Sequence, residues 1–156
     1  MEEKDLTEIE AAIKEFFVKA GSDADIKKLY IEKEGDREVL MVNIKTKEAN
    51  IFIGKQGLVL SDIQLLLRKI IKKRTDQDVF LNLDIDDYKK YKEDYLRELA
   101  QNTANEAIRD KEKKELLLPS SFDRRMIHLE LSKRIDVKVE SIGEGENRRI
   151  TIEPIL

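Results

Sequence analysis

The chain has 156 residues, which suits one ordinary domain or two small domains that depend on each other for stability. It contains no cysteine, so disulfide bonds, thiolate metal sites and a cysteine nucleophile are excluded. No apolar run approaches the ~18 residues of a membrane span, and the acidic start lacks a signal-peptide pattern. We therefore expect a cytoplasmic protein with no membrane partner.

Charge is unevenly distributed along the chain. Acidic residues outnumber basic residues by 33 to 30, which is not typical of a general polyanion binder. Residues 1–25 carry eight acidic and three basic residues, whereas residues 54–74 carry six basic residues and one acidic residue. The basic segment indicates an anion-binding surface, although residues 72–74 alone would also suit an ordinary helix C-terminus.

The first element is a helix. Apolar residues recur at helical spacing from Leu6 to Ala20, and Gly21 ends the pattern. Thr7 and Glu10 have the spacing of a capping box, which predicts that the helix begins near Thr7.

Five further elements follow before residue 87. Residues 34–37 have the composition of a hairpin turn, so the apolar segments on either side of it read as paired strands. In chain order, the patterns predict two strands, a short helix, a longer helix and a third strand at residues 26–33, 39–44, 46–53, 58–73 and 79–85.

The two predicted helices are separated by Gly54, Lys55, Gln56 and Gly57. Glycine allows a positive φ angle and a close backbone approach, and the following helix points its free N–H groups at this loop. A phosphodiester is the anion that such a loop would bind. An ordinary turn or helix cap is the alternative explanation of the four residues.

Residues 5–86 resemble a type II KH domain, because the order αββααβ is joined to Ile53, Gly54, Lys55, Gln56 and Gly57 at the position of the I-G-x-x-G motif. The resemblance implies a loop that clamps about four nucleotides of single-stranded backbone. It also implies a groove for the bases beside the loop, between its two helices and the neighbouring strand. We place four apolar residues near this groove, although each also suits the core: Ile51, Ile53, Leu58 and Leu60.

The resemblance also assigns roles to charged and polar residues. We place Lys69 and Lys73 of the longer helix among the nucleic-acid contacts. Gln56 stands where the family commonly has arginine or lysine, which implies a weaker hold on phosphate. We expect Gly54→Asp to abolish binding at the loop without unfolding the protein.

Three aspartates lie at the end of the third strand and directly after it. Asp84, Asp86 and Asp87 could suggest a metal site, but Asp86 or Asp87 also makes a good N-cap for the next helix, and we predict the cap. That helix carries a periodic pattern over about 22–26 residues. We expect its tyrosines to pack against a neighbouring element rather than to stack on bases.

The remaining residues predict a strand at 115–118, a helix at 121–133 capped by Ser120 or Ser121, and a two-stranded hairpin. The hairpin strands are indicated by alternating apolar residues, which begin at Ile135 in the first strand, and residues 143–147 form the turn.

The predicted helix carries Arg124 and His128 four residues apart, and hence on one face. Residues 88–153 resemble an R-three-H domain, which is named for this Arg-x-x-x-His spacing and associated with single-stranded nucleic acid. RRMIH and IGEGENRRITI are similar to motifs of the Jag (SpoIIIJ-associated, KhpB) family, in which a type II KH domain directly precedes the R-three-H domain. The resemblance implies that Arg124 and His128 contact nucleic acid and that Arg125, Arg148 and Arg149 widen the basic patch.

Residues 119–123 depart from the family pattern, so the entry into the helix is expected to differ. We expect no counterpart of the N-terminal Jag domain of many members, so regulation through it is not carried over. We therefore predict an α+β protein with a KH domain at 1–86 and an R-three-H domain at 87–156. The KH domain has a three-stranded sheet with helices on one face, and the R-three-H domain has a long helix, a strand, a helix and the hairpin.

The implied function is non-enzymatic binding of single-stranded RNA, in a post-transcriptional regulator linked to cell elongation or division. Single-stranded DNA is an alternative ligand. A single-KH protein is an alternative partner, which would make the chain an adaptor. One histidine and no cysteine form neither a catalytic triad nor a convincing two-metal site, so we predict no enzyme activity, no metal and no cofactor.

Overall fold

The computed structural model describes residues 1–155, which divide into two compact units. The first unit is Met1–Lys89, and the second begins at Lys90. Among residues 1–155, none of the helices combines the length and the apolar character that crossing a bilayer requires.

The first unit has the order αββααβ, which confirms the predicted KH topology. Strands β1 and β2 are antiparallel, and β3 is parallel to β2, so β3 forms one edge of a sheet with the order β1-β2-β3. The bounds are α1 Glu3–Lys19, β1 Asp25–Glu34, β2 Arg37–Lys45, α2 Ala49–Ile53, α3 Leu58–Thr75 and β3 Phe80–Ile85.

The core of this unit lies between the sheet and the helices. The buried residues of α3 recur every three or four positions, which confirms its predicted amphipathic face: Leu60, Ile63, Leu67 and Ile71. They pack with Ile9, Ile13 and Phe17 of α1 and with the inward residues of the strands. Each fully buried aliphatic side chain contributes about 1.5–3 kcal/mol relative to an exposed one.

The predicted start of α1 is wrong. The helix begins at Glu3 rather than near Thr7. The Glu2 backbone N–H donates to Asp5 Oδ2 at 3.3 Å, and the Thr7 hydroxyl donates to the Glu3 carbonyl inside the helix. The acidic first turn therefore replaces the predicted Thr7–Glu10 box, in keeping with the preference of helix N-termini for negative charge.

The predicted cap of the fourth helix is also wrong. Asp84 Oδ1, rather than Asp86 or Asp87, accepts the Lys89 backbone N–H at 3.1 Å. Asp86 and Asp87 have φ angles of 52° and 56°, so they form the turn between strand and helix. Asp87 accepts a hydrogen bond from Asn43 Nδ2 at 2.7 Å, which fastens this turn to β2.

The second unit is also α+β, and its elements match the predicted order. The helix α4 spans 23 residues, within the predicted length, and its first two residues belong to the first unit. The sheet has the antiparallel order β4-β6-β5, so the predicted strand joins the hairpin. The bounds are α4 Tyr88–Asp110, β4 Lys114–Leu117, α5 Ser121–Leu131, β5 Val137–Ile142 and β6 Arg149–Pro154.

The second core packs α4 and α5 on this sheet. Small residues of α4, Ala100, Ala104 and Ala107, are fully buried with Ile127 of α5. The small side chains of these alanines allow α5 to pack closely against α4. Ile135, which we expected to begin the hairpin strand, precedes β5 and is 92% exposed.

The start of α5 combines a cap with a buried ion pair. Ser120 is the N-cap, and its hydroxyl accepts the Asp123 backbone N–H at 3.4 Å. The Asp123 side chain is buried, and its Oδ1 lies 3.0 Å from Lys92 Nζ of α4. This oxygen makes no hydrogen bond of acceptable geometry within the described residues, so the charge on Lys92 is its main stabilisation.

We predict that Asp123→Ala destabilises the second unit by about 3–5 kcal/mol, because it removes the buried carboxylate 3.0 Å from the Lys92 ammonium. Urea unfolding followed by the amide NMR signals of residues 90–155 measures this loss. The matched control replaces both charges, as Lys92→Met with Asp123→Leu, and should recover most of the stability. Equal stability of Asp123→Ala and the wild type would contradict the role of the pair.

Candidate nucleic-acid interface

The loop between α2 and α3 is built from backbone in left-handed conformation. Gly54 ends α2 with a φ angle of 69°, Gln56 has a φ angle of 55°, and Gly57 has a φ angle of 80°. Three positive φ angles within four residues turn the chain sharply and leave Lys55 and Gln56 exposed at its tip.

Both glycines also lack room for a side chain. A Cβ atom on Gly54 would lie 2.8 Å from Val59 Cβ and would overlap Val59 Cγ2, and one on Gly57 would lie 2.9 Å from Tyr88 Cε1. The structure argues against the expectation that Gly54→Asp leaves the fold intact, because the substitution adds steric overlap to an unfavourable φ angle. The exposed residues between the glycines are the suitable positions for testing the loop.

The N-terminus of α3 opens onto this loop. Gly57 occupies the N-cap position, and no side chain caps the helix there. The Leu58 N–H donates to the Lys55 carbonyl, so an anion at this place would contact the N–H groups of the next residues of α3 and the positive end of its dipole. Exposed Lys55 adds a positive charge at the same place.

Apolar residues on both sides of the loop differ in accessibility. Ile51 and Leu58 are exposed, the latter by 64%, and Ile53 is half-buried against the core. Leu60 is only 3% exposed, so its predicted place in a groove is wrong and it belongs to the core. The cause is the helical repeat, which turns Leu60 inward and leaves Leu58 outward.

The basic residues of α3 divide into paired and unpaired groups. Arg68 and Lys72 both contact Asp78, and their hydrogen bonds lower the pKa of that carboxyl group. Lys69 and Lys73 are exposed and make no ion pair within residues 1–155. They lie about 18 Å or more along the helix axis from Gly57, so they would contact different nucleotides from the loop.

Arg74 is tied to α1 and is not a free cation. It forms ion pairs with Glu8 and Glu15, and Glu15 also pairs with Lys19. Hydrogen bonds from Lys19 and Arg74 lower the pKa of Glu15 to about 2. The acidic N-terminal segment thus neutralises part of the basic cluster that the sequence showed.

Phe80 is a feature that the sequence analysis missed. Its ring lies at the start of β3, out of phase with the buried residues of that strand, and is partly exposed. The guanidinium carbon of Arg37 is 5.1 Å from the ring centroid, and that of Arg68 is 5.0 Å from it. The sequence did contain a sign of this feature, because Phe80 is an aromatic residue at a position of the strand that alternation places on its polar face.

In the second unit, Arg124 serves the local backbone. Its Nη1 atom donates to the carbonyls of Leu118 and Pro119 at 2.7 and 2.6 Å, which fastens the turn before α5. His128 lies one helical turn further on and is half-buried, and Arg125 is exposed. Within residues 1–155, neither His128 nor Arg125 has a hydrogen-bond or ion-pair partner, so both remain available to a ligand.

The arginines of the hairpin are held more firmly. Arg148 donates to the Gly143 carbonyl at 3.0 Å and to the Ser141 hydroxyl at 3.1 Å, which closes the turn. Arg149 Nε lies 3.2 Å from Glu115 Oε2 on the adjacent strand, although without hydrogen-bond alignment. Both guanidinium groups thus have structural contacts that a ligand would have to share.

The tyrosines of α4 do not share one environment. Tyr88 lies beside Gly57, as we expected of a packed tyrosine. Tyr91 and Tyr95 are 69% and 62% exposed, so the expectation that they pack against a neighbour is wrong. Among residues 1–155, no three histidine, aspartate or glutamate side chains form a group that could hold a metal ion.

Two protein-family models match the chain in the expected order. The KH domain model covers residues 8–90, which is more than half of the chain, and the R-three-H domain model covers residues 94–154. The matches include the glycine loop in the first case and the Arg-x-x-x-His helix in the second.

Several curated bacterial relatives carry the name RNA-binding protein KhpB. The protein of Clostridium symbiosum is 30% identical over 82% of this chain and 56% of its own length. That of Lactiplantibacillus plantarum is 30% identical over 91% of this chain and 41% of its own, and that of Bacillus subtilis is 27% identical over 74% and 57%. The chain spans about half the length of these relatives. With both family models in order, the chain belongs to the KH-domain family, in the Jag (KhpB) group that joins a KH domain to an R-three-H domain.

Proposed function

We propose that this protein binds single-stranded RNA and does not catalyse a reaction on it. The observation that carries the proposal is the loop of residues 54–57, where no side chain caps α3 and exposed Lys55 lies two residues before the buried N-cap residue Gly57. Backbone N–H groups suit phosphate oxygens, and the absence of side chains at the two glycines allows the sugar–phosphate chain to lie against the loop.

Exposed apolar residues beside the loop support contact with bases. Leu58 on α3 and Ile51 on α2 present aliphatic surface next to the proposed phosphate site. Ile53 contributes from a half-buried position, and Gln56 would contact the backbone as a neutral donor. Lys69 and Lys73 would bind phosphates further along the strand.

A second contact region is proposed on α5. Arg125 and His128 are available side chains, and Arg124 retains the donors that do not bind the backbone carbonyls. Arg148 and Arg149 lie at the hairpin and would add positive charge. We take residues 1–86 and 87–156 as the two binding modules.

We propose RNA rather than single-stranded DNA as the ligand because the relatives are named RNA-binding proteins. A contact to the 2′-hydroxyl group would distinguish the two ligands. The link to cell elongation or division and the cytoplasmic location remain predictions from the family resemblance.

We predict that Lys55→Glu weakens the binding of a single-stranded RNA by about tenfold, because it replaces a charge-assisted phosphate contact with repulsion. The dependence of log K on log salt should also become shallower by about 0.7 for each phosphate contact that is lost. Fluorescence anisotropy over a salt series measures both quantities.

Lys33→Glu is the matched control, since Lys33 is an exposed residue of β1 outside the proposed site and the charge change is identical. Equal weakening by the two variants would show that net charge rather than the loop determines affinity.

We predict that Arg125→Glu weakens the binding of a long single-stranded RNA, and that combining it with Lys55→Glu multiplies the two losses. Contacts that share no partners add in free energy within about 0.5 kcal/mol. The same anisotropy measurement tests this. A double variant that binds as well as Lys55→Glu alone would remove α5 from the binding surface.

One observation favours a second function, association with a single-KH protein. A groove of 630 Å³ lies between α1 and α3, with a partly apolar lining that includes Phe16, Ala20 and Ile70. Leu66 is exposed and lies four residues before Ile70, on the same side of α3. The apolar part of this lining suits a protein partner. Its charged part includes Lys73, which is also a proposed phosphate contact.

We predict that Leu66→Asn weakens association with a purified single-KH protein and leaves RNA affinity unchanged, because it removes apolar surface without changing the charge near Lys69 and Lys73. Size-exclusion chromatography after nuclease treatment gives the readout. A complex that disappears on nuclease treatment of the wild type would show that RNA alone connects the two proteins.

A further inference from the structure

The free edge of β3 carries a polar cluster that the sequence analysis did not find. Strand β3 pairs with β2 on one side only, so its other edge lies beside α3. The Leu83 backbone N–H on this edge donates to Gln64 Oε1 of α3 at 3.0 Å. The Leu83 N–H at the strand edge is therefore already bonded to Gln64 and does not bind another strand or a ligand.

Lys89, the second residue of α4, completes the cluster. Its Nζ atom donates to Gln64 Oε1 at 3.1 Å and to Asn82 Oδ1 at 2.5 Å. Both acceptors are neutral amide oxygens, and burial lowers the pKa of Lys89. Asp84 attracts the ammonium from nearby, but its Oδ1 accepts the Ile85 and Lys89 backbone N–H groups instead.

These contacts leave the amide groups with donors to offer. An ammonium and a backbone N–H can bond only to the oxygen of a side-chain amide, so the orientation of Gln64 and Asn82 follows from chemistry. Each amide then directs its NH₂ group elsewhere, and neither NH₂ group has a partner within residues 1–155. With the third N–H of Lys89, the cluster has unused donors.

The cluster lies beside the proposed phosphate site. Gln64 follows Gly57 by seven residues, which is two turns of α3 or about 10 Å. Tyr88, the neighbour of Lys89, lies against Gly57. Exposed Leu58 follows Gly57 directly and exposed Leu65 follows Gln64, and both offer apolar surface to a base.

We infer that Lys89, Gln64 and Asn82 form a base-reading site that favours uracil and guanine over adenine. The inference rests on the proposed RNA binding and specifies which bases the same site accepts. Uracil offers O4 and guanine offers the adjacent acceptors O6 and N7, whereas adenine places its N6 amino donor beside its N7 acceptor. If the N6 amino group of adenine faces the N–H groups of Lys89, Gln64 and Asn82, neither side has a hydrogen-bond acceptor. The unpaired polar groups weaken binding.

The test compares the affinities of ten-residue oligouridylate and oligoadenylate for the wild type and for Lys89→Met at one salt concentration. We expect the wild type to prefer oligouridylate by about tenfold, the size of one charge-assisted hydrogen bond. Lys89→Met should bring the two affinities close together. Oligoinosinate, which has the purine ring with O6 in place of N6, should behave as oligouridylate does.

Lys90→Met is the matched control, because Lys90 is the next residue and is exposed. It should leave the ratio of the two affinities unchanged. Asn82→Asp is a second variant of nearly identical shape, in which an acceptor replaces the amide donor. It should lower the preference for uridine while circular dichroism confirms that the protein remains folded.

Two results would overturn the inference. If Lys89→Met weakens both oligonucleotides equally and lowers the salt dependence, Lys89 contacts phosphate and does not read bases. A wild type that binds both oligonucleotides equally would refute the base-reading site and leave the proposed RNA binding intact. Failure to bind either one would refute the proposed function itself.

Discussion

The constraint on which the first unit depends is the exclusion of side chains from the two ends of the glycine loop. Val59 of α3 fills the space beside Gly54, and Tyr88 of α4 fills the space beside Gly57. The same packing therefore sets the backbone angles of the loop, the start of α3 and the start of α4. The two glycines therefore belong both to the proposed site for the RNA backbone and to a tightly packed part of the fold. A substitution at either glycine would change RNA binding and protein stability together.

The distribution of charge explains how an acidic protein can present a local anion site. Arg74 is neutralised by Glu8 and Glu15, and Asp78 contacts Arg68 and Lys72. Residues 54–74 contain six basic residues, and three of them (Arg68, Lys72 and Arg74) form these ion pairs. Lys55, Lys69 and Lys73 are the ones that remain for the proposed RNA site. Net charge is thus a poor guide, because ion pairs decide which cations remain available and salt screens the distant ones.

The order of the elements and the place of the loop could be predicted because each depends on local periodicity and on residues adjacent in sequence. The polar contacts could not, since they depend on how elements meet. Asp84 caps α4 because the left-handed turn at Asp86 and Asp87 brings the helix start back over the strand. The bonds of Arg124 to backbone carbonyls depend likewise on the path of the chain before α5. Spacing alone indicates that a residue is polar and exposed, but it does not give the partner.

The free edge of β3 shows how protection and recognition can use the same atoms. An exposed strand edge invites pairing with another strand, and covering it with side chains prevents this. Here Gln64 Oε1 of α3 accepts both the edge N–H and the Lys89 ammonium, and Asn82 Oδ1 accepts the same ammonium. Among the described residues, the amide NH₂ groups of Gln64 and Asn82 therefore remain as unused donors. A covered edge that still offers donors cannot extend the sheet readily, but it can pair with the acceptor edge of a planar base. The same amide and ammonium groups would then both protect the edge of the sheet and select the base.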